Sequence, residues 1–195
     1  MAEQSPGREP KGSGSLESVS SVRQYLTFMM ATAEYGVDIL SVQEIRGWDH
    51  PTLIPNAPDY VRGVINLRGS IVPIVDLRLK FGLPALEISP VTVVIILRVQ
   101  MEKGERIMGI VVDAVSDVYD VRQEQIRPAP DLGHHVDVSY ILGLLSVQNR
   151  MVVLLDVDTL LSQDRILNLA EAVSSVPGMA GMDALSADST NNLLK

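Results

Sequence analysis

The sequence predicts a mainly β protein made of two similar small barrels, followed by one helix near the C-terminal end. Three observations predict it: a long internal repeat, short aliphatic runs broken by turn residues, and little helical periodicity before Asp158.

The repeat comes in three blocks. Tyr35–Ile45 lies over Met108–Val118 at an offset of 73, which sets Gly36 opposite Gly109, Val42 opposite Val115 and Glu44 opposite Asp117. Ile54–Asp59 lies over Ile126–Asp131 at an offset of 72, and Tyr60–Leu77 over Tyr140–Val157 at 80. In the last block four of eighteen positions are identical and eight more exchange one aliphatic residue for another. Three blocks in one order mark a duplication. The jump in offset reflects a longer loop around His134–Val138 in the second copy. Each copy offers about five short strands, enough for a closed or nearly closed barrel whose edges pair up.

Half of the first twenty residues are Ser, Gly or Pro, so residues 1–21 read as a loose tail. The strand runs are Tyr25–Ala31, Tyr35–Leu40, Gly63–Leu67, Ile71–Leu77, Val91–Val99, Ile107–Val112, Gly143–Val147 and Met151–Val157, with a further short strand at Val42–Gly47. Gly36 and Gly109 stand at strand starts, where a side chain would crowd a bend. Arg68-Gly69-Ser70 matches Gln148-Asn149-Arg150. Gly and Asn best tolerate positive φ, so both copies should make the same tight hairpin. Pro73 has Val153 as its twin and suits a hairpin exposed on one side. Ala57–Tyr60 and Pro130–His134 are candidate single helical turns. Asp158 is a candidate N-cap for a helix over 158–175, and 176–195 reads as a second flexible tail. The folded span is 22–175, with barrels over approximately 22–90 and 91–157.

Composition narrows function. The net charge of −8 repels phosphate backbones and anionic membranes, and eight aromatic residues are too few for base-stacking platforms. With no cysteine there are no disulfides, thiolate metal sites or cysteine nucleophiles, which fits a reducing compartment. No secretory signal is visible and no apolar run approaches the roughly 20 residues that span a bilayer. The expectation is a soluble cytoplasmic protein without direct membrane insertion.

Enzyme readings fail on their motifs. Asp76 and Asp156 hold equivalent places, as the carboxylates of an aspartic protease do, but neither sits in an Asp-Thr/Ser-Gly loop. They read instead as caps ending a strand. His134 and His135 with Asp131 and Asp137 lack a second, spaced ligand set, so they read as a polar loop. No phosphate loop or nucleophile triad is present. No catalytic residue, metal or cofactor is expected.

What both copies keep is architecture; an exposed residue in one copy is a better candidate for function. Arg68 faces Gln148, Arg46 faces Tyr119, Arg62 faces Leu142, and Trp48 follows the Val42–Gly47 strand. Glu44 and Arg68, both at strand ends of the first copy, should pair across the first barrel. An exposed pair of this kind contributes about 0.2–1 kcal/mol, so it would orient Arg68 more than stabilise the fold.

The blocks 35–47 (YGVDILSVQEIRG), 63–77 (GVINLRGSIVPIVDL), 109–118 (GIVVDAVSDV) and 124–130 (EQIRPAP) resemble the CheW family, from about Gln24 to Leu161. The resemblance implies two five-stranded SH3-like barrels, with strands exchanged between them. It also implies a non-enzymatic adaptor that couples cytoplasmic chemoreceptor tips to the regulatory domain of the histidine kinase CheA, recruited to membrane-associated arrays. In the family, receptor contact goes with the groove between barrels and kinase contact with an apolar barrel face. Carried over by motif, Val42, Glu44, Gly63, Arg68, Val93 and Gly109 are candidate partner-binding residues. There is no room for a kinase's ATP-binding domain or for a receiver domain. The rival reading is a barrel protein that binds an oligonucleotide or small ligand.

Overall fold

The computed structural model describes residues 22–162 apart from Leu86, Lys103 and residues 131–136. Both expected tails, the helix beyond Ser162 and the His134-His135 loop therefore lie outside the described residues. The described strands are β1 (Val22–Met30), β2 (Ala33–Asp38), β3 (Val42–Gly47), β4 (Val61–Leu67), β5 (Ser70–Asp76), β6 (Val93–Met101), β7 (Gly104–Val112), β8 (Ala114–Arg122), β9 (Ile141–Val147) and β10 (Arg150–Leu155). Helix α1 (Leu77–Lys80) follows β5 and α2 (Val157–Ser162) follows β10.

Two five-stranded sheets result, ordered β8-β1-β2-β10-β9 and β3-β6-β7-β5-β4. Each takes the first two strands of one repeat and the last three of the other. The boundary at 90/91 thus separates the sequence repeats but not the sheets. The physical reason lies in the free edges: within a repeat, only β1 with β2, β4 with β5, β6 with β7 and β9 with β10 form ladders. The remaining edges are met by the other repeat, antiparallel in β1–β8 and β3–β6, parallel in β2–β10 and β5–β7.

Neither sheet closes by a continuous ladder. Instead Thr52, beyond β3, bridges Val64 of β4 through backbone bonds of 2.8 and 2.9 Å. Arg127, beyond β8, bridges Leu144 of β9 through bonds of 2.9 and 2.7 Å. Each bridge needs a glycine beside it. A Cβ on Gly63, where φ is +126°, would collide with the Thr52 carbonyl, and one on its twin Gly143 would lie 2.6 Å from the Arg127 carbonyl oxygen.

Alternation along the strands sends one face of each sheet into its own curl and the other into a shared layer. Tyr25, Val121, Leu145, Val152 and Leu154 fill the first curl; Val72, Ile74, Val94, Ile96 and Val111 fill the second. Leu26, Phe28, Met30, Val37, Ile95, Leu97, Met108 and Ile110 meet between the sheets, joined by Leu160 and Leu161 of α2. Phe28, Tyr35, Phe81 and Tyr140 stack through this layer at centroid spacings of 6.1, 6.0 and 5.5 Å.

Local differences from expectation have plain causes. Strand β8 carries Ser116, Asp117 and Asp120 on an edge, which hid it in a search for aliphatic runs. Residues 57–60 form turns rather than a helical turn, with Val61 N–H donating to the Pro58 carbonyl at 2.8 Å. Pro73 stands one residue before the β5–β7 ladder begins at Ile74, so its missing N–H costs that ladder nothing. Helix α2 is capped by Asp156, two residues before the expected Asp158: its Oδ1 accepts from the N–H groups of Asp158 and Thr159 at 3.0 and 3.1 Å. Asp76 caps α1 in the same way, accepting from Arg78 and Leu79 at 3.0 and 3.3 Å. Both aspartates are therefore caps.

Candidate partner-binding site

Strand β3 is the outer edge of the second sheet, and its residues alternate in exposure: Val42, Glu44 and Arg46 are half-buried, Gln43, Ile45 and Gly47 exposed. A bulge between Val42 and Glu44 breaks the register with β6 and turns the glutamate toward the opposite edge. That edge ends in the β4–β5 hairpin. Arg68 and Gly69 take φ of 52° and 89°, and Asn66 Oδ1 accepts from the Gly69 N–H at 2.8 Å. Two positive φ values make the primed turn that matches strand twist. The turn thrusts the Arg68 side chain outward, 78% exposed, yet Nη2 donates to Glu44 Oε2 at 3.0 Å. The pair spans the seam where the second sheet curls back on itself.

Further along this seam, the Arg62 guanidinium lies 5.8 Å from the centre of the Trp48 ring and His50 meets that ring edge-on at 6.4 Å. Trp48, His50, Pro51, Leu53, Asp59 and Arg62 surround a pocket of about 370 Å³ there. Arg46 reaches Asp49 at 3.7 Å. The residues set apart by the repeat comparison therefore share one seam.

Val42 and Val93 lie on neighbouring strands, β3 and β6, and both pack partly exposed against the layer between the sheets. Gly63 and Gly109 are different. Both are buried, and Gly63 serves the closing bridge. A Cβ on Gly109 would lie 2.5 Å from Ile74 Cδ1, as one on Gly36 would lie 2.9 Å from Leu154 Cδ2; these are twin contacts across the two parallel ladders. Of the six candidates, the structure joins Glu44 with Arg68, sets Val42 and Val93 at opposite ends of the β3–β6 ladder, where they face Leu97 and Gly47, and gives the two glycines packing duties.

Two features escaped the sequence reading. The chain crosses between sheets twice, at 38–42 and at 112–114. At the second crossing Asp113 Oδ2 accepts from Arg78 Nη1 at 2.6 Å and from the Ala31 N–H at 2.7 Å, with both charged side chains largely buried. At the first, Asp38 and Arg98 hold the backbone of Leu40 at 2.9 and 3.1 Å while its side chain stays 77% exposed. It rims a groove of about 580 Å³ between Val22, Gln24, Ile39 and Asp120. The available signal was the asymmetry of Leu40 and Asp113 at the offset of 73.

Among the described residues no group of three His, Cys, Asp or Glu could hold a metal ion, and no helix is long and apolar enough to cross a membrane.

Comparison with known proteins gives a consistent picture. A family model described as the CheW-like domain matches residues 24–165. The chemotaxis protein CheW of Klebsiella aerogenes is 47% identical over 144 residues, covering 74% of this chain and 84% of the relative. That of Rhizobium meliloti is 39% identical over 137 residues, covering 70% and 86%. In structure, the chain is similar to the scaffolding protein TtCheW of Thermoanaerobacter tengcongensis, with a TM-score of 0.64 at 28% identity, covering 72% of this chain and 92% of that one.

Proposed function

Since the chain belongs to the CheW-like domain family, as a chemotaxis scaffold and not an enzyme, we propose that it couples chemoreceptors to the histidine kinase CheA. It bridges the receptors' cytoplasmic tips to the kinase's regulatory domain, in the cytoplasm, at membrane-associated receptor arrays. The observation that carries this reading is the Arg68–Glu44 pair. A guanidinium 78% exposed contributes little to stability, yet it is held at 3.0 Å on the seam of one sheet only. Such an arrangement fixes the guanidinium by one donor and presents its remaining donors to a partner's acceptor groups. Val42, two residues before Glu44 on β3, adds half-exposed apolar surface beside it, and Val93 adds more at the far end of that strand, opposite Gly47.

Arg68→Glu is expected to leave the melting temperature nearly unchanged and to abolish receptor-stimulated kinase activity in a reconstituted mixture. Adding Glu44→Arg to it restores part of that activity if orientation through the pair is what matters. A large drop in melting temperature would make Arg68 structural. Recovery of nucleic acid, rather than receptors and kinase, in a pull-down would favour the ligand-binding barrel instead.

A further inference from the structure

Neither repeat can satisfy its own strands. Taken alone, residues 22–81 hold two hairpins and the lone strand β3, with a single bridge between β3's continuation and β4. Residues 93–162 stand the same way around β8. Four ladders join them, from Val22↔Arg122 to Asp76↔Val111. The covalent connection is one segment, 81–92, that spans little distance: Asp76 pairs with Val111, whose neighbour Val112 pairs with Val93. Two strand spacings are about 10 Å, whereas the segment's twelve residues can reach about 40 Å. Its ends are held, by the stacking of Phe81 on Tyr35 and Tyr140 and by the Trp48 N–H donating to the Thr92 carbonyl at 3.3 Å. Between them the ties are mostly local, namely Arg78 Nε to the Pro84 carbonyl at 3.0 Å, Leu83 N–H to the Arg78 carbonyl at 2.8 Å, Gly82 N–H to the Leu79 carbonyl at 3.0 Å and the Ser89–Thr92 turn.

We propose that the chain self-associates by exchanging repeats. The first repeat of one copy completes both sheets with the second repeat of another, and the reverse, giving a dimer of two whole folds. Every ladder, both closing bridges and the three apolar layers recur in the dimer, with Phe81 kept in its stack beside α1 and Thr92 buried beside β6; only residues 82–91 must open. The partner it fits is a second copy of this chain. Copies refolding alone stay monomeric, because the linked repeat is present at an effective concentration of about 1 mM for a flexible connection of this kind. Crowded at a comparable concentration, two copies exchange.

Two lesions test it, one in each repeat. Gly63→Val damages a contact confined to the first repeat, Gly143→Val one confined to the second. Neither chain can then assemble an undamaged fold from its own residues. Exchange alone can, by joining the sound first repeat of one to the sound second repeat of the other. The full-length variants are unfolded together at high concentration, refolded, and separated by size with mass detection. A species of twice the chain mass that contains both variants is expected, in which the fold that joins the two sound repeats regains the wild-type melting transition and the fold that joins the two damaged ones melts lower. Refolded mixtures with only the two variants' own transitions overturn the proposal. Should either variant melt like wild type, the wild-type chain decides. Refolded from micromolar to millimolar concentration, it must show a rising dimer fraction, and a monomer throughout overturns the proposal.

Discussion

The molecule has two seams of one design, and they are put to different use. In the first sheet β8 meets β9 at Arg127 and Leu144; in the second β3 meets β4 at Thr52 and Val64. Both carry a glycine at the bridge and a two-residue hairpin with positive φ nearby, Gln148-Asn149 in one and Arg68-Gly69 in the other. The backbone solution is therefore common property. The side chains are not. Where the second seam has Arg68 bonded to Glu44 at 3.0 Å, the first has Gln148, and Asp117 accepts instead from the neighbouring Val118 N–H at 2.8 Å. A duplicated fold thus acts as its own control: the turn does not call for a guanidinium, so its presence at one tip has another cause.

The shared part of the comparison is also the part whose loss costs most. Gly63→Val forces a side chain against a backbone carbonyl at a φ of +126°, which combines conformational strain with overpacking, together about 4 kcal/mol. Gly143→Val meets Ile126 Cγ2 at 2.5 Å and the Arg127 carbonyl oxygen at 2.6 Å and is expected to cost about 2–3 kcal/mol through crowding alone. Urea unfolding of the two variants measures both. Losses under 1 kcal/mol would mean that the seams open without cost, and the closing bridges would not be structural.

The two crossings between sheets sharpen the contrast further. Asp113 is largely buried and ties Arg78 and Ala31 together, so Asp113→Ala strands the Arg78 charge and is expected to destabilise by about 3 kcal/mol. Its twin Leu40 is 77% exposed, and Leu40→Ala should change stability by less than about 0.5 kcal/mol. Equal losses at the two positions would show that the crossings are mechanically alike.

These cases also show what a sequence can carry. The hairpin tips were legible because positive φ selects Gly and Asn, and the caps because Asp76 and Asp156 end aliphatic runs at matching places. The Glu44–Arg68 pair was legible from two strand-end residues within one repeat. Exchange of strands between the repeats was implied by the family resemblance and is present in both sheets, but the residues alone did not say which strand partners which, since ladder hydrogen bonds are made by backbone groups that every residue shares. Nor was Arg78–Asp113, whose partners stand 35 residues apart in different repeats and match no motif. Gly109 was read as a place where a side chain would crowd, and Gly63 and Gly109 were carried over by motif as partner-binding candidates; a sequence pattern does not distinguish a glycine needed for packing from one needed by a partner.

The smallest expected effect concerns a second pair of twins, Tyr60 and Tyr140. Lys80 sits 5.2 Å from the centre of the Tyr60 ring, whereas Tyr140 stacks on Phe81 at 5.5 Å in the layer between the sheets. Burial raises the Tyr140 phenol above its usual 10.0, with further upward pushes from Asp137 and Tyr35; burial alone raises Tyr35. The folded state therefore favours the neutral phenols more than the unfolded chain does. Their contribution is intact below about pH 10 and is lost as the pH climbs through the raised folded values. Urea midpoints measured from about pH 8 to pH 11 should fall at the alkaline end in the wild type, and less steeply in Tyr35→Phe and Tyr140→Phe. Parallel curves for all three proteins would locate the alkaline sensitivity elsewhere and leave the inter-sheet layer indifferent to charge. A flatter curve in the variants would instead show that this layer, which both repeats build together, responds to alkali through its own ring stack.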